Sequence, residues 1–323
     1  MLTGKGMYIW VVRDCEGGNY NAIRDACLAA NLKHVLIKIA DRYYDFNVDN
    51  GVDHAKNLTQ VLKQAGITVY GWQYTYGTNP EAEGIKGAQR AITCGAQGFI
   101  IDAESEYKTP GRDNAALAVA YVNSLKNALG SYVIPIGLAS YRYPSMHKEF
   151  PWSAFRSKVN FDMPQVYWQG MHNPVEQLVA SYTEYNSMTP KLPYVPTGSA
   201  YFSGGWKPEP QEITDFLSKS VQMGFTGANF WEWGRTRLYA GDLWAPISEF
   251  PWPEENEELP KLIRMLSRLN VPVRATPNGK IIAVAMKGWT MVPTGVDRDG
   301  SGKVWYLIDP GWVPASLVSI IEV

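Results

Sequence analysis

The sequence predicts an α/β chain in which a (β/α)8 TIM barrel is followed by a small all-β domain, and three observations predict it. Short apolar runs recur eight times at spacings of roughly 30 residues, the length a βα unit requires. Stretches of helical periodicity lie between them. Beyond Trp244 the pattern breaks into a Pro- and Glu-rich run, after which the chain is short-stranded and rich in turn residues.

The apolar runs begin at Met7 (MYIWVV), His34 (HVLIKIA), Ile67 (ITVYGWQY), Gly98 (GFIIDAE), Tyr132 (YVIPIGLAS), Asp162 (DMPQVYW), Pro193 (PYVPTGSA) and Thr226 (TGANFWEW). Branched and aromatic residues dominate them, which suits a pleated, buried surface. Helical spacing is read over 53–64, 83–94, 114–129, 175–185 and 211–223. Gly66, Gly95, Gly130 and Gly224 follow four of these stretches, where a left-handed residue commonly ends a helix, and Pro210-Gln211-Glu212 opens the last. The barrel is assigned to 1–248, a linker to 249–260 and the β domain to 261–323. Leu259, Leu262, Ile263, Leu266 and Leu269 have helical spacing, yet the segment is read as entering the first strand of the β domain.

A formal net charge of −1, with charges spread along the chain, gives no electrostatic reason to expect nucleic acid or an anionic membrane as partner. No apolar window reaches the length of a membrane span. The N-terminus MLTGKGMYIWVV lacks the basic and apolar regions of an export signal, so none is expected. The aromatic content departs from the ordinary: 12 Trp and 19 Tyr, many near strand ends, where flat faces at an open rim suit sugar rings. Cys15, Cys27 and Cys94 are odd in number and lack metal-ligand spacing, so they read as reduced and buried. His34, His54, His147 and His172 are dispersed, and neither a metal nor a cofactor is expected. Asp297-Arg-Asp-Gly-Ser-Gly302 imitates half a calcium loop, but its twelfth position is Ile308, so a hairpin turn is the reading. The oligomeric state has no signature.

The chemistry is sought at the carboxyl ends of the strands, where barrels of this kind carry their sites. The fourth run, Gly98 to Glu106, is apolar and then abruptly acidic. Alternation puts Ile100, Asp102 and Glu104 on one face and Phe99, Ile101 and Ala103 on the other. With the acidic face inward, Glu104 suits a general acid whose pKa is raised by its neighbour and an aromatic wall. Asp102 suits the orienting or charge-stabilising partner, and Tyr167 a nearby hydroxyl donor. Spacing leaves retention or inversion open. Substrate-facing candidates are Asp14 on the first strand, Lys38 on the second, Trp72 and Tyr74 on the third, Gln165, Trp168 and Gln169 on the sixth, and Trp231, Glu232 and Trp233 on the eighth. On the eighth, parity admits either the tryptophans or the glutamate facing inward. Glu106 reads as solvated or ion-paired, and Glu232 equally suits an ion pair with Arg235 or Arg237.

HVLIKIADRYYDFN with its lysine, VYGWQYTYG and IIDAE resemble strands two to four of the glycoside hydrolase family 25 lysozymes, over most of 7–233. The resemblance implies that Glu104 is the acid and that Asp102 is its partner. Family 18 chitinases share a related Asp-x-Glu, and MPQVYW is similar to their sixth-strand Met-x-Tyr, at Met163 and Tyr167. Where family 25 has an early first-strand Asp, this chain has Tyr8, Ile9 and Trp10, and WEW replaces its last-strand Asp. LNVPVRATPNG and GWVPASLV resemble bacterial SH3-like domains that bind cell walls, with Arg274 and Trp312 at typical places. Together these imply a glycosidase acting on peptidoglycan or a related polysaccharide, in the setting of a phage or prophage lysin released by lysis or carried on a virion, or otherwise a cytoplasmic protein. The alternative is a wall- or glycan-binding protein that keeps the scaffold without the reaction.

Overall fold

The computed structural model describes residues 2–253, 262–265, 270–299 and 303–321. Most of the expected linker, the Leu259, Leu266 and Leu269 positions, and the tip of the Asp297–Gly302 turn lie outside the described residues. The chain divides into two compact units, one of residues 1–219 and 226–250, the other of 220–225 and 251–323.

The first unit alternates strands and helices: β1 (Gly4–Ile9), α1 (Tyr20–Ala29), β2 (Leu32–Asp41), α2 (His54–Gln64), β3 (Thr68–Thr75), α3 (Pro80–Cys94), β4 (Gly98–Ala103), α4 (Asn114–Leu129), β5 (Ile136–Ala139), α5 (Trp152–Arg156), β6 in two halves (Phe161–Asp162 and Gln165–Val166), α6 (Pro174–Ser187), β7 (Thr197–Ser199), α7 (Pro210–Gln222), β8 (Gly227–Trp231), α8 (Trp233–Tyr239) and α9 (Trp244–Glu249). Strands β1 to β8 pair in parallel with their sequence neighbours, and β8 pairs with β1. The split sixth strand brings the sheet back on itself: Phe161–Asp162 pairs with β5 while Gln165–Val166 pairs with β7. This is a TIM-like barrel.

The helix starts are chemically explicit. Asn19 Oδ1 accepts from the Asn21 and Ala22 amides, Asp53 Oδ1 from Lys56 and Asp113 Oδ1 from Ala116, so each satisfies backbone donors that a first turn leaves free. Helix α3 opens with Pro80 and stops at Gly95, whose φ of 69° is the left-handed conformation that favours glycine.

Side-chain alternation fills the barrel. Tyr8, Leu36, Tyr70, Trp72, Ile100 and Phe161 meet in one buried cluster on the inner face. Three inner positions are glycine for steric reasons: a Cβ on Gly6 would lie 1.9 Å from the His34 ring, one on Gly98 2.0 Å from Tyr70, and one on Gly137 2.4 Å from Phe161. Below the aromatic layer, His34 Nδ1 bonds to the Thr3 carbonyl at 2.9 Å and its other ring nitrogen meets Asn229 Oδ1. The outer face carries Met7, Ile9, Val35, Ile37, Phe99 and Ile101, all buried. With apolar residues on both faces, the strands read as near-continuous hydrophobic runs.

The second unit is built from antiparallel strands. Leu262–Met265 lies between Thr290–Met291 and Val318–Ile321, and a five-stranded sheet runs Ile281–Ala285, Val271–Arg274, Gly311–Pro314, Val304–Ile308, Gly295–Arg298. Ile263, Val271, Val273, Ile308 and Val313 form its core. Asp299 accepts from Asn278 Nδ2 at 2.6 Å and Trp305 Nε1 at 3.0 Å, so its carboxylate holds the hairpin side chains together.

Candidate active site

The acids of β4 point into the barrel mouth. Gln165, two strands away on β6, donates through Nε2 to Asp102 Oδ1 at 3.0 Å and to Glu104 Oε1 at 2.8 Å. One amide group therefore holds both carboxyls. They line a cavity of about 400 Å³ together with Trp10, Lys38, Trp72 and Trp231. Tyr74 and Tyr167 complete its wall.

Burial, and then the Glu104 carboxylate, pushes Asp102 well above the ordinary carboxylate range, while Lys38 and the Gln165 hydrogen bond oppose the shift. Glu104 is raised chiefly by burial, with Gln165 opposing and Glu106 adding to it. Two such neighbours hold a proton at a pH where an isolated carboxyl has lost it. The pair thus retains a proton that it can donate.

The wall is aromatic and mutually packed. Tyr8 lies 5.8 Å from Trp72 and 5.4 Å from Trp231 between ring centroids, and Trp72 lies 5.4 Å from Trp231. Trp72 Nε1 donates to the Ile9 carbonyl at 3.1 Å, which fixes its plane. On this wall the Lys38 ammonium pairs with Asp41 Oδ2 at 2.5 Å, with the Phe46 ring centroid at 4.3 Å and that of Trp72 at 4.9 Å. Tyr74 donates its hydroxyl to Glu106 at 2.8 Å, so Glu106 is engaged from above the strand rather than simply solvated.

Behind β3 a buried carboxylate organises the next loop. Glu83 accepts from the amides of Tyr76, Gly77, Thr78 and Asn79 at 2.7 to 3.1 Å and from the hydroxyls of Thr75 and Thr78. Thr75 also bonds Tyr107 at 2.9 Å, in the single turn that follows Glu104. The hydrogen bonds hold Glu83 below its ordinary pKa against the opposing effect of burial.

Four expected substrate contacts are placed elsewhere. Trp168 is fully buried with its ring against Phe216 and its Nε1 donating to Glu212 at 3.2 Å: once Tyr167 faces the cavity, its neighbour must face the helices. Trp233 is also fully buried, packed on Trp244 and donating to Glu16 at 3.2 Å, because α8 begins at this residue and strand parity ends at Trp231. Gln169 is exposed and engages Ser203 and Tyr201 outside the cavity. Asp14 is not on the first strand: β1 ends at Ile9, and Val12–Asp14 is a single 3-10 turn.

On the eighth strand Trp231 is the inward residue. Glu232 caps α8, accepting from the Arg235 amide at 2.7 Å and the Gly234 amide at 3.3 Å. Tyr8 and Trp10 are wall residues that the sequence reading did not select; their signal was the shared parity with Gly6 on β1. The three cysteines are buried and unpaired. Among the described residues no cluster of three or more His, Cys, Asp or Glu side chains is arranged for a metal ion, and no helix is long and apolar enough to cross a membrane.

The fold and the carboxylate-lined mouth define a TIM-like barrel with an acid pair in an aromatic cleft. Solved structures that share this fold include a chitinase from Bacteroides thetaiotaomicron, with a TM-score of 0.60, 11% identity, and coverage of 80% of this chain and 99% of that one. A GH18 chitinase from Pseudoalteromonas aurantia gives 0.57 at 14% identity, covering 76% and 99%. The spore cortex-lytic enzyme SleL of Bacillus megaterium gives 0.53 at 11% identity, covering 74% and 73%. These neighbours include family 18 chitinases rather than the family 25 lysozymes suggested by the strand motifs, and at such identities the likeness is one of fold. No family model matches the sequence, and no curated protein matches it.

Proposed function

We propose that the protein is a glycoside hydrolase acting on an amino-sugar polymer of the cell wall, with peptidoglycan as the favoured substrate. The observation that carries this reading is the Gln165 amide joined to both Asp102 and Glu104 at the base of an aromatic cleft. Glu104 protonates the glycosidic oxygen, and the developing positive charge on the sugar forms beside Asp102. Two oxygens bonded to one nitrogen lie less than about 6 Å apart, which leaves no room between them for the attacking water of an inverting enzyme. Retention follows, with Asp102 orienting either itself or the substrate's own N-acetyl oxygen for attack at the anomeric carbon. Tyr167 supplies a hydroxyl from the cavity wall after β6.

The second unit fits an SH3-like wall-binding module, which would raise the local substrate concentration for the barrel. A lysin released by cell lysis or carried on a virion is the setting this reading implies. The rival reading, a glycan-binding barrel without hydrolysis, draws support from Tyr8, which fills the region where the family 25 resemblance calls for an acid. The deciding experiment follows reducing ends released from purified peptidoglycan and from chitin oligomers by the wild type and by Glu104→Gln. Release that disappears in the variant while wall binding persists is expected; wall binding without release by the wild type, across walls and pH values, would establish the rival.

A further inference from the structure

A second cavity, of about 440 Å³, opens beside the first and shares Trp10 with it. Its walls include Asp14, Glu232, Arg235, Leu238 and Tyr239. Leu238 and Tyr239 are 60% and 72% exposed, large apolar surfaces left on the rim of a polar hollow. The anomaly is Arg235. Its side chain is half-buried, its guanidinium carbon lies 5.7 Å from the Trp10 ring centroid, and among the described residues no carboxylate forms an ion pair with it.

An arginine offers five donors in a planar fork, and a half-withdrawn guanidinium without an acceptor is poorly solvated and unpaired at once. Glu232 lies near enough to feel the Arg235 charge but forms no direct ion pair with it, because its oxygens accept from the Gly234 and Arg235 backbone amides. Asp14 is exposed on the wall and forms no ion pair among the described residues. The hollow therefore presents a guanidinium whose planar fork has a carboxylate as its natural complement.

We propose that this second cavity is a subsite for a carboxylate-bearing substituent on the sugar chain, gripped by Arg235 beside Trp10. The inference rests on the glycosidase reading and deepens it: the polymer threaded through the cleft is an acid-substituted amino-sugar chain rather than a neutral one. The carboxylate comes either from a lactyl ether on the ring or from a peptide attached to it; both present the same chemistry to Arg235.

The test measures binding by the full chain in a Glu104→Gln background, where turnover is blocked, so that a failure of catalysis is read separately. The probes are chitin oligomers, peptidoglycan strands stripped of peptide, and strands that keep their peptides. Carboxylate-bearing strands are expected to bind about tenfold or more tighter than chitin oligomers of equal length, and Arg235→Gln to bring the ratio close to one. Arg235→Lys keeps the charge without the fork and is expected to restore part of the preference, which also controls for misfolding. Preference for stripped strands assigns the lactyl group, and preference only for peptide-bearing strands assigns the peptide. Equal affinity for neutral and acidic strands, or a preference that survives Arg235→Gln, overturns the proposal. If the preference holds while the wild type releases no reducing ends, the subsite stands and the hydrolase reading falls.

Discussion

Gln165 donates to Glu104 Oε1 at 2.8 Å across the barrel mouth, and the same nitrogen reaches Asp102 at 3.0 Å. The contact spans from β6 to β4 over the intervening β5, so the two acids are set by a residue two strands away rather than by their own strand. That bond opposes the rise that burial imposes on both carboxyls. Replacing Gln165 with Leu removes it. Both acids are then expected to hold their protons to higher pH, moving the alkaline limb of the activity profile upward, with a loss of about a hundredfold in kcat/KM from the lost positioning. A pH–rate profile of the variant on soluble wall fragments checks both effects; an unmoved limb would show that the amide does not govern the pair.

The acid pair should also weaken the fold. Asp102 has its pKa raised in the folded state, so between the ordinary carboxylate range and the raised value the native state binds more protons than the unfolded one. Its contribution to stability therefore falls as pH rises through that window. Asp102→Asn abolishes the effect and is expected to raise Tm by about 2–4 °C at neutral pH, the response to about 1 kcal/mol in a domain of this size. The gain should vanish in acid below the ordinary carboxylate range. Melting curves of the wild type and variant from acid to neutral pH give the comparison, and a difference independent of pH would count against a raised Asp102.

Legibility in the sequence followed the length of each strand. On β4 six residues in unbroken alternation carry the pattern through to Asp102 and Glu104, and their faces could be read without the fold. On β6 the strand is two pairs of residues separated by Met163 and Pro164, so alternation does not run through it, and Trp168 was drawn in with Gln165 and Gln169. Asp14 and Trp233 were misplaced for a shared reason: the backbone leaves the strand for a helical turn at Ile9 and Trp231, and alternation carries no information beyond that point. Tyr8 and Trp10 were hidden because β1 is apolar on both faces, which removes the contrast that marks an inner side. The ligand-like carboxylate of Glu83 was invisible because its donors are backbone amides of a loop.

That loop gives a direct stability test. Glu83 is fully buried, and its two oxygens satisfy four backbone amides and two hydroxyls. Glu83→Ala strands these donors and is expected to destabilise the barrel by about 3 kcal/mol or more. Because its folded pKa is lowered, the stabilisation is present above the ordinary carboxylate range and is lost as pH falls through the folded value. Urea unfolding at neutral and acid pH should therefore show the wild type and variant converging in acid. Since Thr75 ties this loop to Tyr107, hydrogen exchange in 104–108 is expected to accelerate in the variant as well.

At the opposite end of the barrel, Lys5 tests closure rather than chemistry. Its side chain is fully buried, and Nζ donates to the carbonyls of Ile247, Ser248 and Phe250 at 2.8, 2.9 and 2.7 Å. These acceptors belong to the last turn of α9 and the residue after it, where the helix leaves carbonyls without partners and its dipole favours a cation. One lysine from the first strand therefore ties down the final helix of the unit. Lys5→Met keeps the length and apolar stem but strands three acceptors, for an expected loss of about 3 kcal/mol and a drop in Tm of about 6–12 °C. Burial, and then Lys33, lowers the Lys5 pKa from 10.5 to about 8, so between those values the unfolded state binds more protons than the folded one. The group's contribution to stability then rises with pH across that window. The gap between wild type and Lys5→Met should widen from pH 8 to 10.5 in denaturant titrations; a gap that narrows would mean that the three carbonyls hold the ammonium more firmly than burial repels it.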